Sequence, residues 1–181
     1  MKATEILKHE HQAILLVIAA VEKEVASIEK TGKIHAQTVR EMVDFLKNFV
    51  DRCHHGKEEK HLFVMMHERG MPLKAGPLAF TLHEHEQGRV YVHAVAEAVA
   101  GKTVPDAAAI RKAKENLASY AQLLRAHIDK EDNILYPMAD RLLKSADQET
   151  LAQAFGKVES EEMGEGVHAK YHAWIKKLVE E

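Results

Sequence analysis

Six residues of this sequence could act together: His11, His54, Glu58, His85, His127 and Glu131. The chain holds 13 histidines, spread along its length, so a tag does not explain them. His54-x-x-x-Glu58 and His127-x-x-x-Glu131 each set an imidazole and a carboxylate four residues apart. On a helix such residues share one face, their Cβ atoms about 6 Å apart. Each pair can aim a nitrogen and an oxygen at one point. His11 and His85 would each add a nitrogen from a facing helix. Four imidazoles and two carboxylates make a mixed nitrogen and oxygen donor set, which suits iron or manganese better than thiolate-preferring metals.

Two ions fit this set better than one. Two six-coordinate ions offer about twelve positions. Four imidazoles and two bridging carboxylates fill about eight, and a bridging oxygen would fill two more. About one position per ion stays open for water or a small ligand, the feature that separates a reactive site from a structural one.

The residues recur in two matched halves. His9-Glu10-His11 returns as His83-Glu84-His85. His54-x-x-Lys57-Glu58-x-x-x-Leu62-Phe63 returns as His127-x-x-Lys130-Glu131-x-x-x-Leu135-Tyr136. His11 to His54 is 43 residues and His85 to His127 is 42. Two helical hairpins of one design would pack about a pseudo-two-fold axis. His55 and Glu59 form the same i, i+4 pair one residue on. The frame with His54 and Glu58 is preferred, because it keeps the spacing to Leu62-Phe63 that Glu131 keeps to Leu135-Tyr136.

Apolar residues recur at helical spacing nearly throughout, so the elements that position these ligands are helices. The first runs from about Thr4, as N-cap, to Lys30, with Gly32 beyond it. The second runs from about His35 to Arg69, before a loop from Gly70 to Pro77. The third begins near Pro77, which suits a first helical position, and ends near Ala100. Gly101 to Pro105 turn the chain. The fourth runs from about Asp106 to Tyr136, and Pro137 should kink or restart it. A short helix, Ser145 to Lys157, carries the capping pattern Ser145-x-x-Gln148. A last helix runs from Val167 to Val179. From His11 to its helix end, and from the next helix start to His54, both arms are about 28 Å long. An antiparallel hairpin therefore sets these two residues at one level. In the second hairpin the turn must sit off-centre, or the fourth helix must start later. The expected fold is all-α: an up-and-down four-helix bundle over residues 3–143, with additional C-terminal helices over 145–181, in one domain over 1–181.

The ordered set of His11, His54-x-x-x-Glu58, His85 and His127-x-x-x-Glu131, with its flanks, resembles the hemerythrin-like HHE cation-binding family over residues 3–140. The resemblance implies a bundle holding two iron ions bridged by oxo or hydroxo, in preference to manganese or zinc. His11, His54, His85 and His127 would be terminal ligands, and Glu58 and Glu131 would bridge. Oxygen-carrying hemerythrins have a further histidine one turn away on the third helix. Here those positions are Thr81 and Arg89, so the chain resembles instead cellular members tied to sensing, peroxide or nitric oxide chemistry and iron–sulfur repair. Repair proteins usually carry an added N-terminal cysteine-bearing domain, and here the pattern begins at residue 3. The function implied is binding of oxygen or another small diatomic ligand, in sensing, storage or detoxification. The alternatives are a di-iron enzyme reducing peroxide or nitric oxide, and an iron-dependent regulatory module.

Composition narrows the partners. A net charge of −3 and a pI near 6.5 give no footprint for nucleic acid or an anionic membrane. Hydrophobic residues at 46% allow a sizeable core, and the longest apolar run, 13–21, is too short to span a bilayer. One cysteine, Cys53, makes no internal disulfide, and no signal peptide is legible, so a cytoplasmic location is expected. Oligomeric state and substrate are not legible.

Several residues have ordinary readings. His9 and His83 fall on another helix face and should be solvated. Glu10 and Glu84 either orient an imidazole or sit in water. Glu58-x-x-His61 and Glu165-x-x-His168 imitate a ferritin-like ligand pair, but the second copy lies outside the four main helices. His168 and His172 mark either the polar face of the last helix or a cap over the site. Met65, Met66, Met71, Met138 and Trp174 read as packing. Cys53 reads as a buried thiol before a redox group.

Overall fold

The computed structural model describes residues 1–101, 104–164 and 166–180. Lys102 and Thr103, in the turn expected at Gly101 to Pro105, and Glu165, of Glu165-x-x-His168, lie outside the described residues. The chain is 88% helical with no strands among the described residues, in six helices. Helix α1 is Ala3–Thr31. Helix α2 runs over 36–68, α3 is Gly76–Val99, α4 runs over 107–142, α5 over 145–163, and α6 is Val167–Glu180. Helices α1 to α4 form the bundle. No helix among the described residues is long and apolar enough to cross a membrane.

The ends follow local chemistry, with two corrections. Gly32 takes φ 66° and its N–H bonds Ile28 O at 2.8 Å, closing α1. Asp106 caps α4 through the Ala109 N–H at 2.9 Å. Thr4 is not the cap of α1. The helix starts one residue earlier, Glu5 accepts the Lys2 N–H at 2.8 Å, and the Thr4 hydroxyl donates to Asp140 at 2.7 Å. Likewise Ser145 and Gln148 do not cap α5. Asp147 accepts the Lys144 N–H at 3.0 Å, and Gln148 accepts the Ala3 N–H at 2.9 Å, tying α5 to the start of α1.

Two helices that carry the chemistry are not α-helical throughout. In α2 the segments Leu46–His55 and Glu58–Leu62 are π-helical, and in α4 so is Glu131–Leu135. The i→i+5 bonds are Gly56 N–H to Asp51 O, Phe63 N–H to Glu58 O, and Tyr136 N–H to Glu131 O. Such wide turns are rare and gather at functional sites. Regular α-helix resumes at Tyr136, just before Pro137, which lacks the N–H that a regular turn would use.

Two apolar layers bracket a polar one. Ile14, Val17, Ile18, Phe45, Phe49, Val95 and Leu117 belong to the first, with Tyr171 and Ile175 of α6 packed on it. Leu7, Leu62, Phe63, Met66, Leu135 and Tyr136 belong to the second, which Leu151 and Phe155 of α5 complete. Between them lie buried histidines and glutamates. Burying charge costs several kcal/mol per ion unless it is paired. The polar layer therefore weakens the fold that surrounds it, and its upkeep calls for a functional explanation.

Candidate metal centre

All six residues singled out from the sequence stand in this layer, none more than 2% exposed. His11 comes from α1, His54 and Glu58 from α2, His85 from α3, and His127 and Glu131 from α4. His11 Nε2 and His54 Nε2 are 3.0 Å apart, and His85 Nε2 and His127 Nε2 are 3.2 Å apart. The glutamates stand between the two imidazole pairs. Glu131 lies 3.2 Å from His127 Nε2 and 3.3 Å from His11 Nε2. Glu58 lies 3.5 Å from His85 Nε2 and 3.8 Å from His54 Nε2.

The donor atoms fall into two groups. One comprises His11, His54 and Glu131; the other comprises His55, Glu58, His85 and His127. The sequence reading set His55 aside as part of a shifted frame with Glu59. In the structure Glu58 lies 3.8 Å from His54 Nε2, and His55 joins Glu58 in the second group. In a π-helix each residue turns the chain through a smaller angle, so adjacent side chains come nearer to one face. A reading based on α periodicity separates His54 from His55 too far.

Each of the four paired imidazoles has a carboxylate behind it. Nδ1 of His11, His54, His85 and His127 faces Asp132, Glu10, Glu59 and Glu84 at 2.8, 2.9, 2.7 and 3.0 Å. An N–H donated to each carboxylate leaves Nε2 with its lone pair turned inward, the tautomer a metal ligand needs. Glu10 and Glu84, which the sequence left between two readings, are buried and in contact. Lys57 donates to Glu10 and to Glu159, and Lys130 donates to Glu84. The sequence reading missed Asp132 and Glu59. The signal was an acidic residue directly after each of Glu58 and Glu131. Arg89, one turn from His85, donates to Glu59 at 2.6 Å and to Asp51 at 2.8 Å, so it braces the carboxylate that faces His85.

Without a cation the layer is electrostatically awkward. Burial, and then the Glu131 carboxylate, push Glu58 well above the usual carboxylate range. Burial would raise Glu131 too, but His127 and His11 hold it well below that range. Burial, then His127, pushes His85 well below the usual imidazole value. Burial also works against charge on His127, yet Glu131 and Glu84 raise it to about 9. Among the described residues, both nitrogens of His55, Glu58 Oε2 and both Glu131 oxygens are buried without a hydrogen-bond partner. Tyr136 donates to Glu58 Oε1 at 2.7 Å and lies 3.4 Å from His11 Nε2.

Inward-turned lone pairs and unpartnered carboxylate oxygens are what a bound cation would satisfy. The donor set therefore fits a metal. A cavity of about 360 Å³, lined in part by Leu46, Gly88, Val92 and Tyr120, reaches this layer at His55 and His85. The other residues kept in view stand outside these two groups, although Cys53 and His168 bring donor atoms within 4.8 Å of Glu10. His9 and His83 are exposed. His61 packs toward Phe155 at 6.3 Å. His168 Nε2 is 3.5 Å from Glu10, and His172 is exposed. Trp174 packs on Phe45 at 5.5 Å and donates to Glu41 at 3.1 Å. Cys53 is fully buried, and burial pushes its thiol up to about 12, which suits an inert thiol.

The comparisons with known proteins point the same way. The family described as hemerythrin HHE cation binding domain matches residues 2–139. Uncharacterized proteins of Mycobacterium bovis and of two Mycobacterium tuberculosis strains are 20% identical over 163 residues. The match covers 90% of this chain and 63% of each relative, so the chain spans less than two thirds of their length. No solved structure matches the chain.

Proposed function

This chain belongs to the hemerythrin HHE cation-binding family, and on that premise we propose that it holds two iron ions and binds oxygen or another small diatomic ligand. His11 and His54 would hold one ion and His85 and His127 the other, with Glu58 and Glu131 offering carboxylate oxygens between them. The carrying observation is the facing of imidazole lone pairs at 3.0 and 3.2 Å, with each outer nitrogen tied to a carboxylate. Ring nitrogens this close share either a proton or a cation, and with each outer N–H given to a carboxylate both are free to face a cation. Nitrogen and oxygen donors without thiolate favour iron over softer metals.

When bound, a pair of iron ions supplies electrons and an open position for a small ligand. The chain's residues do the rest. Glu59, Asp132, Glu10 and Glu84 fix the rings. Leu62, Phe63 and Leu135 exclude water from one side. The cavity at His55 and His85 gives a small neutral molecule an approach.

One observation favours a second reading, a reductase for peroxide or nitric oxide. The Tyr136 hydroxyl donates its proton to Glu58 Oε1 in a hydrogen bond of 2.7 Å, and such reductions consume protons. Elemental analysis and visible absorption, under air and then with dithionite, test the proposal. About two irons per chain and a reversible oxygen spectrum support it. A colourless, iron-free protein after growth in iron would overturn it, and steady peroxide consumption would favour the reductase.

A further inference from the structure

We propose that His55 is a seventh protein ligand, a fifth imidazole, which makes the two metal positions unequal. One ion would take His55, His85 and His127, and the other His11 and His54. The inference rests on the iron reading above.

Position argues for it first. The donor atoms of His55, Glu58, His85 and His127 all lie within 4.8 Å of one another. The His55 ring stands at 77° to His127 and lies against His85, centroids 3.8 Å apart and planes at 13°, so one of the two stacked rings turns for both to reach one ion in plane.

Its unmet bonding argues next. His55 is 4% exposed, yet neither ring nitrogen has a hydrogen-bond partner among the described residues. Asp51 stands 3.6 Å from Nδ1, too far for a good bond. The four other imidazoles of the layer all have their outer nitrogens bonded. Buried polar groups are nearly always satisfied, so an imidazole left bare at a donor cluster points to an absent partner. The bonds it lacks are the ones a cation would supply.

Broken symmetry argues third. The repeat that equates His54 with His127, Glu58 with Glu131, Lys57 with Lys130 and Glu59 with Asp132 equates His55 with Ile128. Ile128 is a core residue, 3% exposed. The second half thus shows what packing alone asks for here, an apolar side chain. The imidazole in the first half needs another reason. The wide turn over Leu46–His55 supplies the means, since it brings His55 toward the face that His54 already uses.

His55→Ile gives the first half the residue that the second half carries. His55→Gln is a smaller polar change, for use if the first variant does not fold. Each full-length protein is loaded anaerobically with iron(II). It is followed by Mössbauer spectroscopy and by release of iron to a chelator, with helicity as the check on folding. The unaltered chain should show two quadrupole doublets of equal area. Either variant should shift one doublet, leave the other, and release one of the two ions at least about tenfold faster. Unchanged doublets and release rates in folded variants would overturn the assignment while His85→Ala still loses iron. If His85→Ala and His127→Ala also leave the iron content untouched, the iron reading itself fails, and the assignment falls with it.

Discussion

His11 Nε2 and His54 Nε2 lie 3.0 Å apart, and each ring is held from behind by a carboxylate, Asp132 on one and Glu10 on the other. Two acceptors this close repel unless a proton or a cation lies between them. Metal loading should therefore stabilise the fold. At a free metal concentration a hundredfold above Kd, the gain is about 2.7 kcal/mol. For a chain of this size each kcal/mol raises Tm by roughly 2–4 °C. Differential scanning calorimetry of chelated protein, before and after iron(II), should show a rise of roughly 5–10 °C. No shift would count against a metal in this layer.

Substitutions in the layer should separate holding from orienting. His54→Ala and Glu131→Ala remove donor atoms, and elemental analysis should find less than half the iron of the unaltered chain. Glu10→Gln leaves every donor in place but loosens the ring of His54 and strips Lys57 of a partner. Its metal affinity should fall about 10–100-fold, in a competition titration against a chelator. Equal losses in all three would mean that Glu10 acts on the fold.

Tyr136 and Phe63 occupy equivalent places in the two halves, and only Tyr136 carries a hydroxyl. Tyr136→Phe should keep iron content unchanged and remove the proton held against Glu58. Under the reductase reading, peroxide turnover should drop at least about tenfold, in line with the 10²–10⁴ typical of positioned proton donors. Under the binding reading, the oxygen off-rate should change while equilibrium iron content does not. Stopped-flow absorbance distinguishes these outcomes.

Gly88 borders the cavity, and a Cβ there would stand 3.3 Å from the Tyr120 ring. Gly88→Ala should push that ring into the cavity and slow nitric oxide association several-fold. Iron content should stay the same. Stability should move by less than about 1 kcal/mol, because alanine's helix preference offsets the squeeze. An unchanged association rate would show that ligands reach the layer by another way.

Away from the metal layer, Arg69 holds the Asp147 carboxyl at about 2, and the Lys144 N–H adds to this. The folded value is depressed below the ordinary 3.8. The pair's stabilisation is therefore full above that value and is lost as pH falls through about 2. In urea titrations of chelated protein, the advantage of the unaltered chain over Asp147→Asn should hold at neutral pH. It should shrink on acidification from about pH 4 toward about pH 2.

The bundle was legible because its helices are long and periodic, and the hairpin arithmetic that sets His11 level with His54 needs only a rise per residue. The repeat exposed the six layer residues, since equal spacing in two halves is hard to produce by packing alone. Glu59 and Asp132 were passed over because a charged residue on a helix is usually solvated, and their one signal, a place directly after Glu58 and Glu131, gains meaning only once the layer is seen. The place of His55 beside His85 was not legible for a backbone reason: rules for faces assume an α turn, and the turn before His55 is wider. The capping errors at Thr4 and Ser145 have a third cause. Asp140 and Ala3, partners from distant parts of the chain, take Thr4 and Gln148 out of local use.

The wide turns opening at Glu58 and Glu131 give this protein an uneven tolerance to change. Each holds one residue more than a regular turn, so removing a single residue from either would return that turn to the α form, leaving the flanking helix in register and moving the side chains inside the turn. Point replacements on the outer surface leave this register intact. Shortening the 58–62 or 131–135 segment by one residue would draw Glu58 or Glu131 away from the layer while the packing of the helices on either side persists.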